Sequence, residues 1–356
     1  MLLAAGALGA EPVTVNAEAI RASLDTQRAG REASRLLDLA RRGQAAELGA
    51  ALERLLADPD LDPVTRESAL YRFVTGTRAL PANAVPEAPL RRLAKRPVAV
   101  LTPHPESRGD ALIPLYDVAG AARGSLDLLA MERASRDLLA TLRASPKALW
   151  EGFGEQRAGM NLRALARALE ELDPETLHAQ AAPARAALQR RPSLAPAAAV
   201  VALGTGDEQL AHLVILEADG ATALRVLREL PSRFDAAGTL RLMETAASRR
   251  ELASSAVLGI GAMASASPAA REWLLEEVDD PVLGESAAVA LSRLGEPAVV
   301  TWATNGLVPG TPLPGLRHRL LLLQLDGGAE AVEALARFAA DPAMPASLRR
   351  EVGQWL

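Results

Sequence analysis

Along the last third of the chain, apolar residues recur at helical spacing between turn-like boundaries near Arg250, Pro281, Pro312 and Ala343, a repeat of 31 residues. Setting these segments in register brings Met263, Leu294, Leu325 and Leu356 into one column. Gly259, Ala290, Leu321 and Val352 form another, four residues earlier. A spacing of four places residues on one helix face, so each unit is predicted to be a pair of helices. In the second unit the first helix is expected over 285–294, with Gly295 as its C-terminal cap and Pro297 opening the next helix at its favoured first position. The third unit repeats the plan over 316–325 and 329–339 around Asp326-Gly327-Gly328, and the first over 252–263 and 268–278. A helix pair of about 30 residues cannot bury its own apolar face, so such units stack on their neighbours. Leu356 closes the first helix of a fourth unit, which predicts an uncovered end.

Upstream, 58–74 shows an Asp-Pro entry into an amphipathic helix, whereas 81–114 is rich in proline. Within that stretch Pro97-Val-Ala-Val-Leu-Thr-Pro103 is the best strand candidate, and proline at both ends predicts an edge strand or an extended segment. Helical periodicity returns over 115–142. The strand-like run 211–217 is assigned to helix because it lies inside a helical array. The predicted organisation is an all-helical N-terminal part over 11–80, an irregular Pro-rich insertion or linker over 81–114, and a helical repeat array over 115–356.

The segment Pro281-Val-Leu-Gly-Glu-Ser-Ala-Ala-Val-Ala-Leu-Ser-Arg-Leu-Gly295 and its counterparts resemble HEAT-like repeats, the α-solenoid units that include those of bacterial phycobilisome-lyase type. The resemblance covers about residues 219–356. It implies an all-α, right-handed α-solenoid of helical hairpins and no particular activity. The third unit departs from the pattern, carrying Arg317, His318 and Arg319 where the second has Ser286, Ala287 and Ala288.

Composition narrows the chemistry. The 356 residues are 49% hydrophobic and 23% charged, proportions of a folded globular chain, and there is no cysteine, which removes disulfides, thiol catalysis and cysteine-ligated metal. Cations are almost all arginine, with only Lys95 and Lys147 as lysines, a bias that also favours helix. The net charge is −5, with 13 basic and 20 acidic residues in 201–356, so the basic excess expected of a nucleic-acid-binding domain is missing. No later apolar run is long enough to span a bilayer. The opening Met1–Ala10 is apolar and ends in Leu8-Gly9-Ala10, like the end of a secretory signal peptide without its basic region. This predicts a remnant of a signal peptide over 1–10 and a periplasmic or secreted protein.

Candidate motifs dissolve under inspection. Gly259-x-Gly261-x-x-Ala264, with Asp279 and Asp280 about 20 residues on, fits a dinucleotide fingerprint, but it lies inside a predicted repeat helix with no preceding strand. It is read as small residues allowing close helix packing, and Gly204-Thr-Gly206 as a turn. His104, His178, His212 and His318 are isolated, none followed by Glu, so no metal-ligand spacing and no HEAT-like hydroxylase pattern exists. There is no G-x-S-x-G elbow, and Arg108-Gly-Asp110 is read as loop. HEAT-like solenoids include DNA glycosylases, but Arg317 and Arg319 are too few for a phosphate groove. Trp273, Trp302, Phe338 and Trp355 are read as repeat core. No catalytic, cofactor-binding or metal-binding residue is assigned.

The acidic run Glu272, Glu276, Glu277, Asp279 and Asp280 stands out, because Glu272 and Glu276 share a helix face where like charges repel by a few tenths of a kcal/mol. The expected function is a non-enzymatic scaffold that presents a concave solenoid surface to a protein or peptide partner, with these five residues as the partner-binding set. The alternative is a lyase-like or accessory protein that cradles a small molecule in a deep, neutral pocket.

Overall fold

A computed structural model describes residues 12–106, 111–145, 150 and 158–356. The expected signal-peptide remnant at 1–10 and the Arg108-Gly-Asp110 tripeptide lie outside the described residues. The fold is all-helical apart from one small sheet. The chain divides into two compact units, Met1–Asp137 and Leu138–Leu356.

The first unit begins with β1 (Val13–Thr14), followed by α1 (Ala17–Ser23), α2 (Thr26–Arg41), α3 (Ala45–Ala57), α4 (Pro63–Gly76) and α5 (Glu87–Leu93), then β2 (Val100–Pro103), β3 (Leu112–Pro114) and the start of α6 (Val118–Ala144). The Asp-Pro entry works as expected: Asp62 accepts the Val64 amide at 2.8 Å and Pro63 sits in the first turn of α4. Helix α2 turns Ala29, Ala33, Leu36 and Ala40 inward and packs along α4, which contributes Leu70 and Phe73. The Pro-rich segment is ordered more than its composition suggests. It carries α5 and two strands, and Ala82, Val85, Leu90 and Leu93 join the core of the preceding helices.

Strand β2 is central rather than at an edge. It pairs in parallel with β1 through Val13 and Val100, and antiparallel with β3 through Thr102 and Ile113. Proline is tolerated there because the carbonyls of Ala99 and Leu101 receive the β1 amides of Val13 and Val15. Pro103 therefore turns its missing N–H toward the side where the two-residue β1 has already ended. Beneath the sheet, Val15, Val64 and Val100 form a small apolar cluster.

The second unit contains α7 (Ala158–Glu170), α8 (Pro174–Ala179), α9 (Ala181–Arg190), α10 (Ala195–Thr205), α11 (Glu208–Glu217), α12 (Gly220–Arg233) and α13 (Ala236–Ala247). It continues with α14 (Ala253–Met263), α15 (Pro268–Glu277), α16 (Gly284–Ser292), α17 (Pro297–Asn305), α18 (Leu313–Asp326), α19 (Ala329–Ala340) and α20 (Ala346–Val352). The predicted helix pairs are all present, and the run 211–217 is helical. Gly295 and Gly327 take left-handed conformations (φ 62° and 65°) that a side chain would strain, and Pro297 opens α17. Along the array α14 packs on α16 and α16 on α18, while α15 and α17 connect them.

The most fully buried column of the repeat is neither of the two set in register above. Ile260, Leu291 and Leu322 are fully buried, whereas Leu325 and Leu356 are exposed. Of the second column, Ala290 and Val352 are buried, and Gly259 and Leu321 partly so. A repeat period fixes which residues correspond but not which face is covered. Replacing Leu291 with Ala should therefore destabilise the second unit by about 2–5 kcal/mol, and Leu325→Ala by under about 0.5 kcal/mol. Chemical denaturation of both variants checks this.

Candidate functional site

Helix α15 starts at Ser267, whose hydroxyl accepts the Ala270 amide at 3.3 Å, with Pro268 in the first turn. Its apolar positions Ala270 and Leu274 face the core, and this rotation leaves Glu272 and Glu276 exposed on the outer side. Glu277 lies half-buried at the flank. Burial, followed by the charges of Asp280, Glu276 and Glu244, raises its pKa above the usual carboxylate value. Glu244, on α13, is also raised by burial, with Arg241 acting against the shift. The structure thus adds Glu244 to the acidic set by a contact between helices that no local pattern signals. Glu244, Glu272, Glu276 and Glu277 have no ion-pair partner among the described residues. The cations beside them are committed elsewhere, Arg271 to Glu296 at 3.0 Å and Arg241 to Glu208 at 2.8 Å.

The other two predicted residues are engaged within the fold. Asp280 accepts the amides of Val282 and Leu283 at 2.7 and 2.8 Å and shapes the turn into α16. Asp279 is gripped by both terminal nitrogens of Arg319, with Nη2 at 3.0 Å from Oδ2. That hydrogen bonding holds the Asp279 carboxyl below its usual range despite partial burial. Arg319 is only 7% exposed. Its guanidinium lies 4.7 Å over the Trp302 ring, while its Nε finds no partner. Next to it, His318 Nδ1 donates to the Val278 carbonyl at 2.7 Å. These are the residues by which the third repeat departs from the second. Gly284, Gly306 and Gly315 make the departure possible, because a Cβ on any of them would collide with His318, Arg319 or Asp279.

The decoy glycines are accounted for by packing as well. A Cβ on Gly261 would press on Ala290 of α16, and one on Gly259 on Met243 of α13. Gly206 caps α10 with φ 66°. Phe338 is buried, and Trp273, Trp302 and Trp355 pack against the core. The histidines are dispersed: His212 lies 3.1 Å from the Thr245 hydroxyl, and His104 Nδ1 accepts the Glu106 amide at 3.2 Å. No cluster of metal-ligating side chains occurs among the described residues, and no helix among them is long and apolar enough to cross a membrane.

A cavity of about 370 Å³ opens among α7, α8, α10 and α12. Leu177, Val200 and Leu203 form its apolar floor, and Glu170, Arg225, Glu229 and Arg233 its rim. The rim is formally neutral, with Glu229 at 4.0 Å from Arg225 and 3.8 Å from Arg233.

No protein-family model, curated protein or solved structure matches this chain.

Two pH dependences of opposite sign follow. Glu277 has a folded pKa above its unfolded value, so its charged form opposes folding at neutral pH and the penalty disappears as pH falls below about 4.5. Glu277→Gln should raise the melting temperature at pH 7, with the gain shrinking toward pH 4. Asp279 has a depressed pKa, so its contribution is present above about pH 3.8 and lost as pH falls through the folded value. Asp279→Asn should cost about 2 kcal/mol at pH 7, with the difference from wild type fading below pH 3.8. Thermal melts of both variants across this range test the signs.

Proposed function

We propose that the protein is a non-enzymatic scaffold of HEAT-like helical hairpins, stacked as an α-solenoid, that binds a basic segment of a protein partner through the acidic surface on α13 and α15. The observation that carries this reading is the set Glu244, Glu272, Glu276 and Glu277, four carboxylates without ion-pair partners where the neighbouring arginines are already engaged. Behind that surface Asp280 shapes the turn that follows α15 and Asp279 ties its end to Arg319 of α18. Repulsion within such a set is relieved when cations arrive from outside. The packing of α14 on α16 and of α16 on α18 supports the stacked arrangement. The apolar opening segment, Met1–Ala10, supports export.

The neutral cavity formed by four helices favours a second reading, in which the protein cradles a small molecule between its repeats.

The deciding experiment compares intact protein with the variant Glu244→Gln/Glu272→Gln/Glu276→Gln/Glu277→Gln in affinity capture from native extract, followed by titration of the recovered protein in purified form. One protein held by the intact chain and bound at least about tenfold more weakly by the variant supports the scaffold. Equal binding by both, or capture by neither, discards the acidic surface and directs attention to the cavity.

A further inference from the structure

On the first unit, α2 buries Ala29, Ala33, Leu36 and Ala40, and its opposite side forms an open depression of about 630 Å³ lined by Arg31, Ser34, Arg35, Asp38, Leu39 and Arg42. At 100° per residue, Arg31, Arg35 and Arg42 fall within about 40° of one another, a straight line of guanidiniums about 16 Å long. All three are exposed, and no guanidinium among them has an ion-pair or hydrogen-bond partner among the described residues. The acid among them, Asp38, is taken by Arg41 at 2.6 Å. From α4, Arg72 reaches the flank of α2, its Nη1 lying 3.6 Å from where a Cβ on Gly30 would stand, and its guanidinium has no partner among the described residues. Arg31 and Arg35 repel each other as like charges four apart, and no ion pair among the described residues relieves them.

We infer that this face of α2 is a docking surface for an acidic helical segment of a partner protein, separate from the acidic surface of the second unit. The positions Arg31, Arg35, Asp38 and Arg42 follow a four-three-four spacing, the seam by which one helix meets another lying alongside it. Partner carboxylates opposite Arg31, Arg35 and Arg42, with a neutral residue opposite Asp38, would each meet a guanidinium fork, the geometry in which arginine binds carboxylate with two hydrogen bonds. Leu39, half-buried beside the line, supplies an apolar contact. A nucleic-acid strand fits less well, because Asp38 interrupts the line and four arginines neutralise little of a phosphate backbone.

The test uses the full chain and a labelled, alanine-rich peptide as long as the 16 residues of α2, with glutamates spaced by four and seven to face Arg31, Arg35 and Arg42. Binding is followed by anisotropy at low and physiological ionic strength. Expected is salt-sensitive binding that falls about tenfold in Arg31→Gln/Arg35→Gln/Arg42→Gln. It should be unchanged in Arg54→Gln, an exposed arginine on α3 outside the line. Circular dichroism confirms that the variants stay helical. The inference is overturned if the peptide does not bind at low salt or binds the triple variant equally. It is also overturned if a scrambled peptide of the same composition or an oligodeoxynucleotide of equal charge binds as tightly.

Discussion

Everything in the second unit depends on how closely helices that are rich in alanine can approach. An alanine buries little area, so a core lined by Ala197, Ala198, Ala256, Ala287, Ala288 and Ala303 cannot rely on large side chains for its hydrophobic free energy. It depends on short distances between helices, where many weak dispersion contacts accumulate. The glycines mark the closest approaches. Gly261 lies against Ala290, Gly259 against Met243 and Gly204 against Leu177, each with no room for a methyl group. The pattern that imitates a dinucleotide fingerprint is the sequence trace of this constraint.

Polar groups inside such a core need their own partners. Arg319 stands where the two preceding repeats have Val257 and Ala288, and it is accommodated by the Asp279 carboxylate, the Trp302 ring and three glycines. The first unit holds a comparable case. Glu67, almost fully buried on α4, faces Arg96 at 2.7 Å, yet burial still raises its pKa against the pull of Arg96 and Arg66. Replacing one partner of such a pair strands the other charge, so both sites tie distant segments together more than they add net stability.

The charged surfaces have the opposite character. Many carboxylates and guanidiniums are satisfied close by in sequence, as N-caps such as Asp25, Asp207 and Asp235, or as pairs such as Arg337 with Glu333. Two groups of like charge lie on shared surfaces instead, acidic on α13 and α15 and basic on α2. A helix that leaves like charges in line keeps a repulsion that only an outside partner removes.

By itself, the sequence determined the elements. Period, proline at first turns, glycine after helix ends and aspartate at N-caps act locally, so the helix pairs from 252 to 340, the Asp62-Pro63 entry and the strand in 97–103 were legible. It also marked Glu272, Glu276 and Glu277 as part of an acidic run in which Glu272 and Glu276 share a helix face. Only the tertiary structure decided which column faces inward, because burial of Leu322 and exposure of Leu325 depend on where the neighbouring helix lies. The same holds for Asp279, whose partner is 40 residues away, for Glu244, brought beside Glu277 from another helix, and for β2, made central by a strand from the beginning of the described chain. Local chemistry is written in neighbouring residues, whereas contacts between distant segments exist only once packing has chosen the distances between helices.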